Sequence, residues 1–250
     1  MSEIDDYLTV TGTAYDTVAP EYANLFADNL THHPFDRAVL GLYAELVRAT
    51  ATAGVRPHVT DVGCGPGRIT AHLADLGLNA SGIDLSSAMI AEARRRHPGI
   101  GFAVGSMTAG LDEAIADPVD GLVAWYSVIH VPPAEHRAVY AGFRRLLRPG
   151  GHLLLAFQCG EEIRHITDAY GHHGLRLDAY RLQPDRVEAD LAEAGFTSVA
   201  RLTRAPIDFE NNPQAYVIAR AENPSREKQE ELEHVCAGSP ARDPAHRVRG

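Results

Sequence analysis

The run VTDVGCGPGRIT, from Val59 to Thr70, constrains this chain more than any other stretch. A β-rich segment enters it, Gly63, Gly65 and Gly67 stand at alternate positions, and a helical pattern leaves it. Glycine reaches backbone conformations closed to other residues, so this spacing specifies a tight turn. A strand that feeds a helix through such a turn is the opening unit of a layered α/β domain, and the turn lets backbone approach a nucleotide.

The unit then repeats. RITAHLADLG reads as a helix, NASGIDLS as a strand, and SAMIAEARRRHPG as a helix closed by Pro98 and Gly99. IGFAVGSM is a third strand. DGLVAWYSVI is a near-continuous apolar run, as in a strand covered on both faces. The helix PAEHRAVYAGFRRLL stops at RPGG, and HLLLAFQ is a fifth strand. Strand alternating with helix predicts a doubly wound α/β sheet. No internal repeat is visible.

The flanks are less regular. Phe35 to Ala51 carries Val39, Leu42, Leu46 and Val47 on one helical face. Ala14 to Ala27 places Tyr15, Val18, Tyr22, Leu25 and Phe26 at roughly helical spacing, but Pro20 lies inside. That predicts two short helices, or one that starts near Pro20. After Gln158 the pattern loosens into an insertion or a strand pair over the sheet. QPDRVEADLAEAGF is a helix with Gly195 at its C-cap, and TSVARLTR and QAYVIARA are two late strands. Beyond Glu222 the chain is polar, with REKQEELEHV as a helix candidate and a disordered end. The expected division is residues 1–55 as a helical lid and first helix, 56–221 as the ligand-binding domain, and 222–250 as a tail.

Composition removes several functions. Acidic residues exceed basic ones, 33 to 23, for a formal net charge of −10. That balance opposes an extended phosphate-binding face, and with it a long nucleic-acid partner. The three cysteines, Cys64, Cys159 and Cys236, form no CxxC pair and no cluster of zinc spacing, and read as free thiols of a reducing compartment. No stretch reaches the ~20 apolar residues of a membrane span. The N-terminus MSEIDDYLTV lacks the basic region of a signal peptide. The expectation is a cytoplasmic protein without a membrane partner. Nothing in the pattern speaks to oligomeric state.

Two glycine-loop chemistries fit a strand-turn-helix. The dinucleotide fingerprint is GxGxxG with an acid about 20 residues later. Here the spacing is GxGxG, with Asp61 just before the first glycine and Asp84 ending the next strand. A carboxylate at Asp61 can meet a cationic amino group or order the loop. One at Asp84 can accept two charge-assisted bonds from vicinal ribose hydroxyls, or it is a neighbour of the helix cap at Ser86 or Ser87.

The segments DVGCGPG, GIDLSSAMI, VGSM, VDGLVAWYSVIHVPP and LLRPGGHLLLAF, in this order over Thr60 to Gln158, resemble the class I S-adenosylmethionine-dependent methyltransferases. The resemblance implies a Rossmann-like doubly wound seven-stranded sheet with an antiparallel last strand, helices on both faces and an N-terminal helical lid. It implies S-adenosylmethionine as cofactor. Gly63, Cys64, Gly65 and Gly67 would bring backbone to the methionine portion, with Cys64 a small packing residue rather than a nucleophile. Asp61 would orient that portion and Asp84 would hold the ribose. Leu85 and Met89 would flank the adenine, Met89 serving equally well as core. Ser106 stands where the family often has an acid that bonds the adenine amino group, which weakens that contact. Met107 would offer its amide and an apolar surface. Ala124 and Trp125 would lie beside the sulfonium.

Methyl transfer from a sulfonium is an in-line displacement that gains mostly from positioning. The family members that methylate amide or exocyclic amino nitrogens resemble one another in an Asp/Asn-Pro-Pro-aromatic turn, and here that turn reads AWYS. This disfavours a DNA base or a glutamine and points to a small-molecule substrate with an oxygen, nitrogen or carbon nucleophile. His130 is the candidate general base; its alternative role is to fix the loop before Pro132 and Pro133. Tyr15 would cap the sulfonium. Tyr22, Tyr126, His165 and Tyr170 are candidate substrate-facing residues, and the lid aromatics have a plain packing role as the alternative. The pairs His32–His33 and His172–His173 point to opposite faces of an extended chain, so no metal is expected. The competing functions are a cofactor-binding module without transfer, a methyltransferase acting on a macromolecule, and a nicotinamide oxidoreductase.

Overall fold

The computed structural model describes residues 3–52, 54–207 and 210–222. Three helices come first: α1 (Glu3–Leu25), α2 (Asn29–His32) and α3 (Pro34–Thr50). The alternating core follows as β1 (His58–Val62), α4 (Arg68–Asp75), β2 (Asn79–Asp84), α5 (Ser87–Arg96), β3 (Gly101–Val104), α6 (Leu111–Ala114), β4 (Val119–Trp125), α7 (His136–Leu146) and β5 (Leu147–Gln158). Then come β6 (Ile163–Ala169), β7 (His172–Tyr180), α8 (Pro184–Glu193), β8 (Phe196–Arg204) and β9 (Gln214–Ala221).

Seven strands form one sheet in the order β3-β2-β1-β4-β5-β9-β8. The pairs among β1 to β5 are parallel, and β9 lies antiparallel between β5 and β8. The predicted fold class holds, with the last strand inserted rather than added at the edge. Successive residues of β4 serve opposite layers. Leu122 and Ala124 pack with Tyr140 and Phe143 of α7, while Val123 and Trp125 pack on the side of Tyr43 and Ile69. The apolar run of β4 is thus a strand buried on both faces. LLRPGG, expected as a turn before the fifth strand, is a bulge inside β5. Its register steps from Leu147 to His152 where β4 steps only from Val119 to Gly121.

The chain moves outward from β1 through β2 to β3, then returns to place β4 on the other side of β1. At such a reversal the connections leave in opposite directions and open a crevice outside the carboxyl ends of the two strands. Asp61 and Trp125 stand at those ends.

Two expectations change. α1 is one helix of 23 residues that runs through Pro20. A proline costs its helix one hydrogen bond, about 3 kcal/mol. Here Val18 and Ala19, 2% and 0% exposed, are buried in a cluster with Met89 of α5 and Leu175 of β7. Tertiary packing of the helix face outweighs the local break. The loose segment after Gln158 is a separate two-stranded sheet, β6 with β7. Its turn is Tyr170-Gly171, with φ of 55° and 83°, the primed geometry that matches the twist of a hairpin. Tyrosine is strained there, and its ring packs edge-on against Tyr22 of α1 at 5.2 Å. The tail expected over 222–250 lies outside the described residues after Glu222, as does Cys236. Among the described residues no helix is long and apolar enough to cross a membrane.

Candidate active site

The glycines of the turn all have left-handed φ: 76° at Gly63, 54° at Gly65 and 82° at Gly67. Their surroundings separate their roles. A Cβ on Gly63 would sit 2.3 Å from Ser127 Cβ, and one on Gly67 would sit 2.7 Å from Phe102 Cζ. Those two permit close packing. A Cβ on Gly65 would meet only Tyr22 Cε1, at 3.9 Å, so Gly65 is the glycine that faces the cleft. Gly67, expected at the cofactor, starts α4 and does not line the cleft. The amides of Gly63 and Cys64 both donate to Ile83 O, which pins the turn to the end of β2.

Two acids flank the turn, Asp61 buried and Asp84 half-buried. Asp84 accepts from Gly65 N–H at 2.7 Å with one oxygen and from Ser86 N–H at 2.8 Å with the other. Burial raises its pKa, and those backbone donors oppose the rise. Asp61 accepts from Thr70 Oγ1 at 2.7 Å through Oδ2. Its Oδ1 is buried with no hydrogen-bond partner among the described residues. Burial pushes its carboxyl up to about 7. A cationic donor set against Oδ1 removes that cost.

The cleft, about 910 Å³ including the solvent at its open mouth, is lined further by Leu85, Met89, Ser106, Met107 and Trp125. Ser106 Oγ accepts from Thr108 N–H at 3.2 Å, so its hydroxyl is partly engaged within its own loop. Cys64 lines the cleft as a thiol, because burial raises its pKa well above the usual value. The sequence reading missed Tyr7, Leu8 and Thr11, which also line the cleft. Tyr7, Thr11, Tyr15 and Tyr22 follow one helical face, a signal that assigning the helix start to Ala14 concealed.

α1 is fastened across the cleft. Asp16 Oδ1 accepts from Ser86 Oγ at 2.6 Å and from Ala88 N–H at 2.9 Å, so a lid carboxylate caps α5. Tyr7 donates to Glu135 at 3.0 Å, and Arg96 donates to Asn24 at 2.6 Å. Glu21 meets His172 at 3.3 Å. His173 turns instead to Asp168, and among the described residues no three metal-type side chains converge.

Tyr15 and His130 join lid to core. His130 Nδ1 lies 2.7 Å from Asp178 O, and its Nε2 lies 2.7 Å from Tyr15 Oη. A carbonyl only accepts, so Nδ1 carries the proton and Nε2 accepts from the Tyr15 hydroxyl. Burial lowers the His130 pKa and raises that of Tyr15. The imidazole is therefore neutral and already holds a proton donor at its basic nitrogen.

Beyond this pair lies a second cavity of about 1470 Å³. It shares Tyr15, Tyr22, Arg68, Trp125, Tyr126 and His130 with the cleft. Tyr126 has φ 53°, a strained value held by its N–H bond to Ala156 O at 2.9 Å. Its ring stands edge-on to Trp125 at 5.8 Å. Tyr170 lines this chamber and not the cleft. His165, expected to face substrate, does not line this chamber; it pairs with Asp178 at 2.6 Å and lines a third cavity with Tyr7, Thr11 and His130. Strand alternation sends 165 one way and 164 the other. The inner face carries Arg164, Ile166, Ala179 and Arg181, none of which the sequence reading had named.

Residues 59–151 match the model of the methyltransferase domain family. Over this stretch the chain is similar to that family. The chain's fold is similar to that of magnesium protoporphyrin IX methyltransferase from Synechocystis PCC 6803, solved with bound S-adenosylmethionine (TM-score 0.64, 17% identity, covering 86% of this chain and 97% of that one). A structure of DhpI in complex with S-adenosylhomocysteine aligns with a TM-score of 0.66 at 20% identity, over 87% of this chain and 98% of that one. By sequence, the chain is 33% identical over 142 residues to a demethylmenaquinone methyltransferase of Beutenbergia cavernae, covering 54% of this chain and 57% of that protein. It is 36% identical over 120 residues to a ubiquinone biosynthesis O-methyltransferase of Methylococcus capsulatus, covering 46% and 48%. The chain thus spans about half the length of these curated relatives.

Proposed function

We propose that the protein transfers a methyl group from S-adenosylmethionine to a small-molecule acceptor. The observation that carries this reading is one cleft that combines the open backbone of Gly65, the fixed carboxylate of Asp84 and the unpartnered Oδ1 of Asp61. These fit the donor's chemistry. Asp61 would accept from its cationic amino group, Asp84 would accept from the ribose hydroxyls, and Leu85, Met89 and Met107 would offer apolar surface to the adenine. When bound, the donor supplies a methyl group on a sulfonium, activated for in-line displacement.

The chain's own work is positioning and proton handling. Tyr15, Trp125 and Tyr126 form the wall shared by cleft and chamber, where donor and acceptor meet. A nucleophile there gives its proton to the Tyr15 oxygen as Tyr15 passes its own to His130 Nε2. The fastened lid excludes water from that wall. A lid in this position also supports a small acceptor over a macromolecule, as do the names of the quinone-pathway relatives. The acidic surface gives no support to a nucleic-acid partner.

The test is calorimetry of the full chain with S-adenosylhomocysteine and with NAD. Tight binding of the first and none of the second supports the reading. No heat from S-adenosylhomocysteine at millimolar concentration sinks it. Binding without release of label from methyl-labelled donor to any offered acceptor favours the binding module.

A further inference from the structure

We propose that the chamber beside the donor cleft takes a planar aromatic carboxylic acid, whose carboxylate is anchored by Arg164 and Arg181. The inference names the acceptor class for the methyl-transfer reading and rests on it.

The chamber's charges are unequally satisfied. Among the described residues its two acids already have partners. Asp36 accepts from Tyr216 Oη at 2.6 Å, and Glu210 is held by the Arg204 guanidinium at 2.7 Å. A ligand cation would have to displace one of them. Its hairpin arginines differ. Arg164 has no ion pair or hydrogen bond among the described residues, and its charge is felt by Tyr170. Arg181 has a single surface partner, Glu162 at 3.3 Å, and its Nε is buried with no acceptor. His33 Nδ1, on the same chamber, is a second buried atom without a partner. Arg164 pairs in register with Ala179, two residues before Arg181, so both guanidiniums leave the same face of the hairpin. Paired guanidiniums suit a carboxylate, which accepts bidentate bonds.

The rest of the lining suits a flat ring. Tyr22, Phe26 and Tyr170 meet one another at centroid distances of 4.6 to 6.1 Å, mostly edge-on, and Trp125 and Tyr126 face them across the chamber. Arg164 and Arg181 line the chamber alone, whereas Tyr15 lines both cavities. The carboxylate is therefore a handle. The methylated atom is at the other end of the ligand, by Tyr15.

Calorimetry on the full chain tests this with 2-naphthoate, 2-naphthamide and cyclohexanecarboxylate, each with and without S-adenosylhomocysteine. The acid is expected to bind at least tenfold tighter than the amide and than the alicyclic acid. Arg164→Gln with Arg181→Gln should erase the preference for acid over amide and leave S-adenosylhomocysteine affinity unchanged. Arg164→Lys and Arg181→Lys, which keep the charge without the fork, should retain part of it and control for folding. Equal affinity for acid and amide, no naphthoate binding, or an undiminished preference in the Gln pair overturns the anion anchor. Equal affinity for the alicyclic acid overturns the aromatic part. If naphthoate selectivity holds while S-adenosylhomocysteine fails to bind, the donor reading falls and the anionic chamber stands. The converse result leaves the donor reading and removes the chamber inference.

Discussion

The hydroxyl of Tyr15 lies 2.7 Å from Nε2 of His130, and that nitrogen is free to accept because Asp178 O holds the proton on Nδ1. A residue of α1 is thereby the donor to a cleft-lining imidazole. If the pair takes part in transfer as proposed, His130 would meet an acceptor through Tyr15 rather than directly.

Tyr15→Phe and His130→Gln should each lower kcat about a hundredfold or more, the usual weight of general acid–base assistance, with S-adenosylhomocysteine affinity within about twofold. Steady-state kinetics and calorimetry on the same samples check this. A loss confined to binding would assign the pair to lid closure alone.

The His130 pKa is lowered, so the folded state binds fewer protons there than the unfolded state. Its contribution to stability is present above the unfolded value, about 6.5, and shrinks as pH falls below it. Melting curves of wild type and His130→Gln should converge as pH drops from 7 to 5. Catalysis should persist below pH 6.5, because the imidazole stays neutral there.

Asp61 behaves in the opposite sense. Its carboxyl is raised to about 7, so the protonated form favours the folded state and ionisation costs stability as pH rises from 4 to 7. A cationic amino group binds the ionised form. Donor affinity should fall about tenfold from pH 8 to pH 6, following the ionised fraction, and Asp61→Asn should be weaker but flat. A wild-type affinity independent of pH would place the amino group elsewhere.

Gly63→Ala and Gly65→Ala separate packing from ligand approach. Both pay the left-handed penalty of about 1–2 kcal/mol. Gly63→Ala adds the overlap with Ser127, for about 2–4 kcal/mol in all. Gly65→Ala should keep most stability and lose donor affinity. Urea unfolding and calorimetry distinguish the two.

Asp16→Ala removes a cap on α5 that crosses from lid to core, a loss of about 1 kcal/mol. The dissociation rate of S-adenosylhomocysteine should rise several-fold, read by stopped flow with Trp125, the chain's one tryptophan. An unchanged rate would show that the lid is held by its other ties.

The sheet and the place of the first glycine turn were legible because their signals are local. Asp61, the glycines, Asp84 and Trp125 lie at strand ends that follow from periodicity and turn chemistry. What was hidden depends on contacts distant in sequence. Pro20 reads as a break until Val18 and Ala19 are seen buried against α5 and β7. His130 reads as a free base until Tyr15 is placed 115 residues away on it. His165 drew notice by residue type, whereas Arg164 and Arg181 needed only the correct strand period.

β6 and β7 bond to each other and to no strand of the main sheet, and they follow residue 151, where the family match ends. The side chains of Arg164 and Arg181 can therefore be exchanged without breaking a backbone hydrogen bond of the main sheet. On the proposed reading, choice of acceptor would rest on a part of the chain that is distinct from the sheet carrying the donor cleft.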